Sequence, residues 1–303
     1  MDFTVTILGS GSAVPTSRRN PTAQYLTCCN RHILIDCAEG TQLQLRNLGI
    51  KFLRIEHILI SHLHGDHYFG LVGLLSTMHL LGRTKPVYVY APEGLKDIVE
   101  LQLHYGGSRL AFEILITTLD TKNPGLVFED EKIKIEHFPL SHRIPTNGYV
   151  IKEKEKERTL NVVLAEKDNV KIEHYHRLKR GEDVIDDNGK LLAFEKYTSK
   201  GEEPKSYAYC SDTKYHEPII PHIKNVDLLY HEATFVEQLA DRAKQTFHST
   251  ALQAATIAKK AEVKRLILGH LSARYDSGEI HTEEAKTVFE NTEVVEDGVT
   301  YLV

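Results

Sequence analysis

Along the 303-residue chain, short runs of β-branched and aromatic residues alternate with stretches whose apolar positions recur every three or four residues. The short runs predict strands over 3–8, 32–36, 57–61, 87–91, 132–139, 148–151, 206–210, 228–231 and 265–268. The three-and-four spacing predicts helices over 66–81, 93–104, 250–260 and 282–290. Strands and helices interleave, which points to an α/β or α+β fold. No repeat with a period of 20 to 50 residues is visible. The longest apolar stretch, 71–81, is interrupted by Gly73, Ser76, Thr77 and His79, so no membrane span and no membrane partner are expected.

Composition adds little to this picture except at two places. Hydrophobic residues make up 41% and charged residues 26%, as in ordinary globular chains. The formal charge of −5 predicts no attraction of the whole molecule to nucleic acid, so a polyanion needs a local patch. Four cysteines form neither a disulfide framework nor a CxxC pair, and Asp2 stands where an export signal would carry positive charge. A cytoplasmic protein is expected. The first departure from the average is the 17 histidines, which with the carboxylates are the available metal donors. The second is the segment 152–205, where thirteen Lys/Arg and thirteen Asp/Glu fall within 54 residues. Its KEKEKER run at 152–158, HRLKRGEDV at 176–184 and DDNGK turn at 186–190 predict a solvated excursion without a compact core, carrying a small hairpin. The expected organisation is one domain over 1–303 interrupted by this insertion.

The strand at 57–61 runs into His62-Leu63-His64-Gly65-Asp66-His67. Three imidazoles packed within six residues repel one another when protonated, whereas neutral ring nitrogens, with the carboxylate beside them, suit Zn²⁺. His62 and His64 alternate at the end of an extended segment, and Asp66 and His67 open the next helix. His142, Asp212 and His270 each follow another predicted strand, where chemistry gathers in α/β folds. Together these are seven donors, enough for two ions sharing one carboxylate, with Asp212 the natural bridge.

HLHGDH with a later histidine, aspartate and histidine resembles the metallo-β-lactamase superfamily, which implies a four-layer αββα sandwich. GSGSAVPTSRRNPTA at 9–23, DCAEGTQLQL at 36–45, HEATF at 231–235, HST at 248–250 and GHLSARY at 269–275 resemble, in order over nearly the whole chain, the ribonuclease Z family of tRNA 3′-processing endonucleases. That resemblance implies one zinc on His62, His64 and His142 and a second on Asp66, His67 and His270, bridged by Asp212 and a hydroxide. It also implies Asp66 as a proton acceptor, His248 as general acid for the departing ribose oxygen and Glu232 as its carboxylate partner. Mn²⁺, Fe²⁺ and Co²⁺ also suit such donors. The partner implied is precursor tRNA, bound by a homodimer.

Arg18, Arg19 and Asn20, in the loop after the first strand, together with Thr250 and Arg274, are candidate RNA phosphate contacts. Ser249 or Thr250 can instead cap the helix that follows. The family's arm has a Gly-Pro-rich tip that grips tRNA, but no proline or glycine lies between Ile151 and Arg180 here. Two other readings remain open on sequence: a phosphodiesterase of the same fold acting on small esters, and a noncatalytic RNA-binding relative.

Overall fold

A computed structural model of the protein describes residues 3–303. All nine predicted strands occur, and five unpredicted ones join them: Ala23–Cys28, Ile114–Thr118, Gly125–Glu129, Thr292–Val294 and Thr300–Leu302. They form two seven-stranded sheets. In the first, Thr300–Leu302, Thr4–Gly9, Ala23–Cys28 and Arg31–Ile35 are antiparallel neighbours, and His57–Leu59, Val87–Ala91 and Ile114–Thr118 continue in parallel. In the second, Thr292–Val294, Arg265–Gly269, Leu228–Glu232 and Ser206–Cys210 run parallel. Asn147–Glu153, antiparallel to Ser206–Cys210, then leads to Ile133–Pro139 and Gly125–Glu129 at the edge.

The alternating pattern of these strands buries one face of each sheet against the other. Val5, Ile7, Leu26, Ile33, Ile35 and Leu59 meet Ile135, Tyr149, Ile151, Tyr207, Tyr209, Tyr230 and Ile267 in a central core. On the outer face of the first sheet lie Leu71–Leu80 and Leu95–Tyr105, contributing Leu74, Leu75, Met78, Leu95 and Val99. On the outer face of the second lies Ala251–Lys260, whose Ala254, Ala255 and Ala258 let its backbone approach closely. The result is an αββα sandwich.

The helix predicted over 66–81 is two helices, Gly65–Tyr68 and Leu71–Leu80. The break has a steric cause: Cys37 N–H donates to His67 O and Gly70 N–H to Cys37 O, and a Cβ on Gly70 would lie 2.0 Å from Ala38 O. The chain turns there so that His67 stays beside the end of strand Arg31–Ile35.

The chain divides into two compact units, one breaking at Lys152 and resuming at Lys205, the other Glu153–Pro204. The second unit corrects the expectation of a solvated excursion without a core. Ala165, Val170, Leu178, Val184, Leu192 and Tyr197 are buried together in it, assembled from helices Val162–Lys167, Tyr175–Lys179 and Phe194–Tyr197 and the hairpin Val184–Ile185/Leu191–Leu192. Half the residues are charged, yet six apolar side chains from Ala165 to Tyr197 close a miniature core, with the charges paired at the surface around it. Lys179 lies 2.8 Å from Glu157, Arg177 2.9 Å from Glu182, and Lys171 and Lys196 pair with Asp187 and Asp168. The hairpin expected at 186–190 is present, with Gly189 in the left-handed region at φ 78°.

Candidate metal centre

Strand ends build the site. His62 and His64 follow His57–Leu59, Asp66 and His67 lie on Gly65–Tyr68, and His142 follows Ile133–Pro139. Asp212 follows Ser206–Cys210, Glu232 closes Leu228–Glu232, and His270 follows Arg265–Gly269. Asp36, Asp212 and His270 stand just beyond their strands at φ 56°, 57° and 57°, and Phe247, ahead of His248, is at 61°. None is glycine, so the left-handed backbone is strained, as is common where a fold aims side chains into a site.

All seven predicted donors come together. His62, His64, His142 and Asp212 each offer an atom within 4.8 Å of the others, and so do Asp66, His67, Asp212 and His270. Asp212 belongs to both groups. His62 Nε2 lies 3.0 Å from His64 Nδ1, which lies 3.2 Å from His142 Nε2, so three imidazole nitrogens face one another. His67 Nε2 is 2.7 Å and His270 Nε2 3.1 Å from Asp212 carboxylate oxygens. Neither nitrogen nor Asp212 Oδ1 makes a hydrogen bond, although all three are buried. Ring nitrogens that approach a carboxylate yet point past it are arranged for a third centre, and imidazole with carboxylate is a zinc-type donor set. The residues therefore fit a pair of divalent ions.

Hydrogen bonds to the opposite ring nitrogens fix which nitrogen faces inward. His67 Nδ1 donates to Asp36 Oδ2 at 2.7 Å, and His142 Nδ1 donates to Phe247 O at 3.0 Å. His62 Nδ1 is 3.0 Å from Ser61 Oγ, and His270 Nδ1 3.0 Å from Thr234 Oγ1. Burial lowers the pKa of His62 to about 4, with His67 adding to the effect, and burial likewise lowers His64 and His142. Those rings are neutral donors. Burial opposes ionisation of Asp212 too, but His270, His67 and His62 outweigh it and hold the carboxyl well below its usual range.

Beside the cluster, His248 Nδ1 lies 2.8 Å from Glu232 Oε1 and 3.4 Å from Asp212 Oδ1. Burial pulls the His248 pKa down, but the Glu232 charge and hydrogen bond prevail and lift it to about 9. Glu232 is fully buried rather than a solvated loop carboxylate. Its Oε1 also accepts from Thr213 N, and its Oε2 from Thr234 N, Thr234 Oγ1 and Ser249 N.

The RNA candidates divide. Arg18 is exposed and reaches Asp276 O, and Arg274 is exposed beside the same loop. Arg19 is fastened to Ser10 Oγ and Val295 O, and the Asn20 amide to Asp297. Thr250 is a correction. It is wholly buried, its hydroxyl caps Ala251–Lys260 in a capping box with Gln253 and donates to Glu237, and it has no face to offer RNA.

Two residues escaped the sequence reading. Asp36, quoted in the DCAEG segment but given no role, accepts from Ser61 N, Ser61 Oγ, His67 Nδ1 and Tyr209 OH at 2.6 to 2.8 Å. Its position just after a β-rich run was the available signal, the same one that marked His142 and Asp212. Arg143 is exposed next to His142, and its charge adds to the lowering of the His64 pKa and opposes part of the rise at His248.

Two facing sheets with a histidine–aspartate cluster at their strand ends are the architecture of a metallo-β-lactamase-fold enzyme. A family model described as anti-Pycsar protein Apyc1 matches residues 3–176. Ribonuclease Z of Parabacteroides distasonis is 45% identical over 298 residues, covering 98% of each chain. Ribonuclease Z of Cytophaga hutchinsonii is 45% identical over 304 residues, covering 100% of this chain and 97% of the relative. The crystal structure of the short form of human tRNase Z matches with a TM-score of 0.71 at 28% identity, covering 98% of each chain. The chain belongs to the ribonuclease Z family.

Proposed function

We infer that the protein is a metal-dependent endoribonuclease that removes the 3′ trailer from precursor tRNA by hydrolysing one phosphodiester bond. The observation that carries this reading is the His248–Glu232 pair beside the seven-donor cluster, because it adds a charged proton donor to a site suited to phosphate. His62, His64 and His142 hold one ion, Asp66, His67 and His270 a second, and Asp212 serves both. Zinc is the metal this donor set favours. When bound, the two ions neutralise charge on the phosphate and lower the pKa of water.

The chain's own residues do the rest. Asp66, only 13% exposed within the cluster, takes the proton of the attacking water. His248 is already bonded to Glu232 through Nδ1, so Nε2 is its free donor, and it protonates the ribose 3′-oxygen as the bond breaks. Glu232 is a positioning residue that keeps His248 charged and oriented. Arg18 and Arg274 contact substrate phosphates, with Arg19 and Asn20 shaping the loop that carries Arg18. The unit Glu153–Pro204 adds a tRNA contact, where phosphates compete for Arg177, Lys179 and Arg180 with their internal carboxylates.

The protein works as a homodimer in the cytoplasm; the family resemblance supports the first, and four cysteines that form no disulfide among the described residues suit the second. No helix among the described residues is long and apolar enough to cross a membrane. Incubation with a precursor tRNA bearing a 3′ trailer, beside bis-p-nitrophenyl phosphate, tests the reading. Release of the trailer with a 5′-phosphate and of tRNA with a 3′-hydroxyl is expected. Hydrolysis of the small ester alone would make the protein a small-ester phosphodiesterase, and cleavage of neither would leave a binding protein.

A further inference from the structure

A cavity of about 470 Å³ opens beside the metal centre, and no role described so far uses it. Its walls include Leu63, which sits between His62 and His64, and Ile144 and Pro145, which follow His142. Pro92 and Leu119, just past strands Val87–Ala91 and Ile114–Thr118, close the apolar side, and Glu93, Asp120 and Lys122 make up a polar side. Two of the chain segments that carry metal donors are thus also walls of this space. Between donor and wall on one of them comes Arg143, an exposed guanidinium that makes no hydrogen bond or ion pair among the described residues.

The order His142, Arg143, Ile144-Pro145 places donor, free cation and apolar wall in consecutive residues. A single-stranded polynucleotide presents phosphate and base in the same alternation, and a space of this size accepts one nucleotide. The side of the cut follows from His248. Ring centroids of His64 and His142 are 5.0 Å apart and those of His142 and His248 5.3 Å, so His142 stands between the acid and the loop carrying Leu63. The acid serves the 3′-oxygen that remains on the tRNA. The cavity is lined from the loops that carry His62, His64 and His142 and by no residue next to His248 in the chain, which assigns it to the side away from the acid, toward the departing strand.

We propose that this cavity is a subsite for a base of the 3′ trailer at or next to the cleavage point, with Arg143 holding the adjoining phosphate. It rests on the nuclease reading above and extends it to recognition of the leaving strand. Its apolar walls accept a base by burial, so the subsite favours the presence of a base over its identity.

Precursor tRNAs are prepared with an intact trailer or with abasic ribose at the first or second trailer nucleotide, and cleaved by wild type, Thr118→Trp and Arg143→Gln. Thr118 lines the cavity, is exposed at the end of Ile114–Thr118 and is outside the catalytic machinery, so the indole fills the space. For wild type, kcat/KM should fall roughly tenfold on one abasic substrate, corresponding to about 55 Å² of apolar surface left in water. Thr118→Trp should show that loss on the intact substrate and little further loss on the abasic one, with bis-p-nitrophenyl phosphate hydrolysis unchanged. Arg143→Gln should reduce the salt dependence of binding by about one phosphate contact. A wild-type enzyme indifferent to both abasic positions overturns the subsite and leaves the nuclease reading standing. So does a Thr118→Trp loss of equal size on intact and abasic RNA. Failure of wild type to release any trailer overturns both.

Discussion

Replacing Glu232 by glutamine should move the alkaline limit of cleavage without removing the metals. In the wild-type fold the carboxylate outweighs burial and keeps the His248 pKa at about 9 against an ordinary value of about 6.5. The raised value corresponds to about 3 kcal/mol favouring the charged ring, as an order of magnitude. Its sign is that of a cation gaining a partner: the contribution is complete below about 6.5 and is lost as pH rises through about 9. Without that negative charge, burial pulls the pKa back toward the ordinary 6.5 against the remaining charge of Asp212, and at that value about a tenth of the rings carry the proton at pH 7.5. Single-turnover cleavage of precursor tRNA should then be roughly tenfold slower at pH 7.5 and approach the wild-type rate near pH 6. The glutamine also turns an amide toward donors from Thr213 and His248 or from Thr234 and Ser249, at a cost of about 1–3 kcal/mol in stability. Metal content by elemental analysis and the melting temperature separate that cost from the chemistry. An alkaline limb at the same pH as wild type, or a loss of equal size at every pH with the metals retained, would refute the proton-donor role.

Three further outcomes follow from the same geometry. His248→Ala should retain both metals and slow single-turnover cleavage by roughly 10² to 10⁴, the range for losing one positioned acid, whereas an unchanged rate would return His248 to a packing role. Asp212→Ala should lose metal from both groups, since its carboxylate belongs to each, and elemental analysis showing two ions with activity intact would defeat the binuclear reading. Lys152 and Ser206 are direct antiparallel partners, so Asn-Gly can replace residues 153–205 as a two-residue hairpin turn. That variant should fold and hydrolyse bis-p-nitrophenyl phosphate normally while KM for precursor tRNA rises and its salt dependence weakens, and an unchanged KM would show the excised unit plays no part in tRNA recognition.

The strands that carry the candidate chemistry were legible because each is a compact apolar run with a histidine or aspartate one to three residues past its end. The five unpredicted strands are shorter or weaker in pattern. Gly125–Glu129 and Thr292–Val294 lie at sheet edges, where partial exposure dilutes alternation, and Ala23–Cys28 is buried almost throughout, so its AQYLTC shows no period of two. The miniature core of Glu153–Pro204 was hidden for another reason. Its six buried residues are spread over 33 positions among charges, and only the tertiary arrangement of three short helices and a hairpin brings them together. Thr250 went astray because a threonine before a helix is compatible with cap and ligand alike, and only its burial decides.

Metal-donor placement depends on contacts that no local pattern carries. The first sheet supplies His62, His64, Asp66 and His67, and the second supplies His142, Asp212 and His270. The two sets meet correctly only if the sheets are held in register at the strand ends. Hydrogen bonds between the sheets act there, among them Tyr149 OH to Ile60 O at 2.7 Å, Asn147 N to Ser61 O at 3.0 Å, and Tyr209 OH to Asp36 at 2.6 Å. The last feeds directly into the site, because Asp36 also holds His67 Nδ1 and the Ser61 beside His62. Tyr149 and Tyr209 therefore do two jobs with one side chain. Their rings fill the central core, and their hydroxyls, which burial obliges to find partners, reach across to the loops that aim the donors. Site geometry is in this sense a product of core packing, which is why the donors could be named from the sequence while the residues that orient them could not.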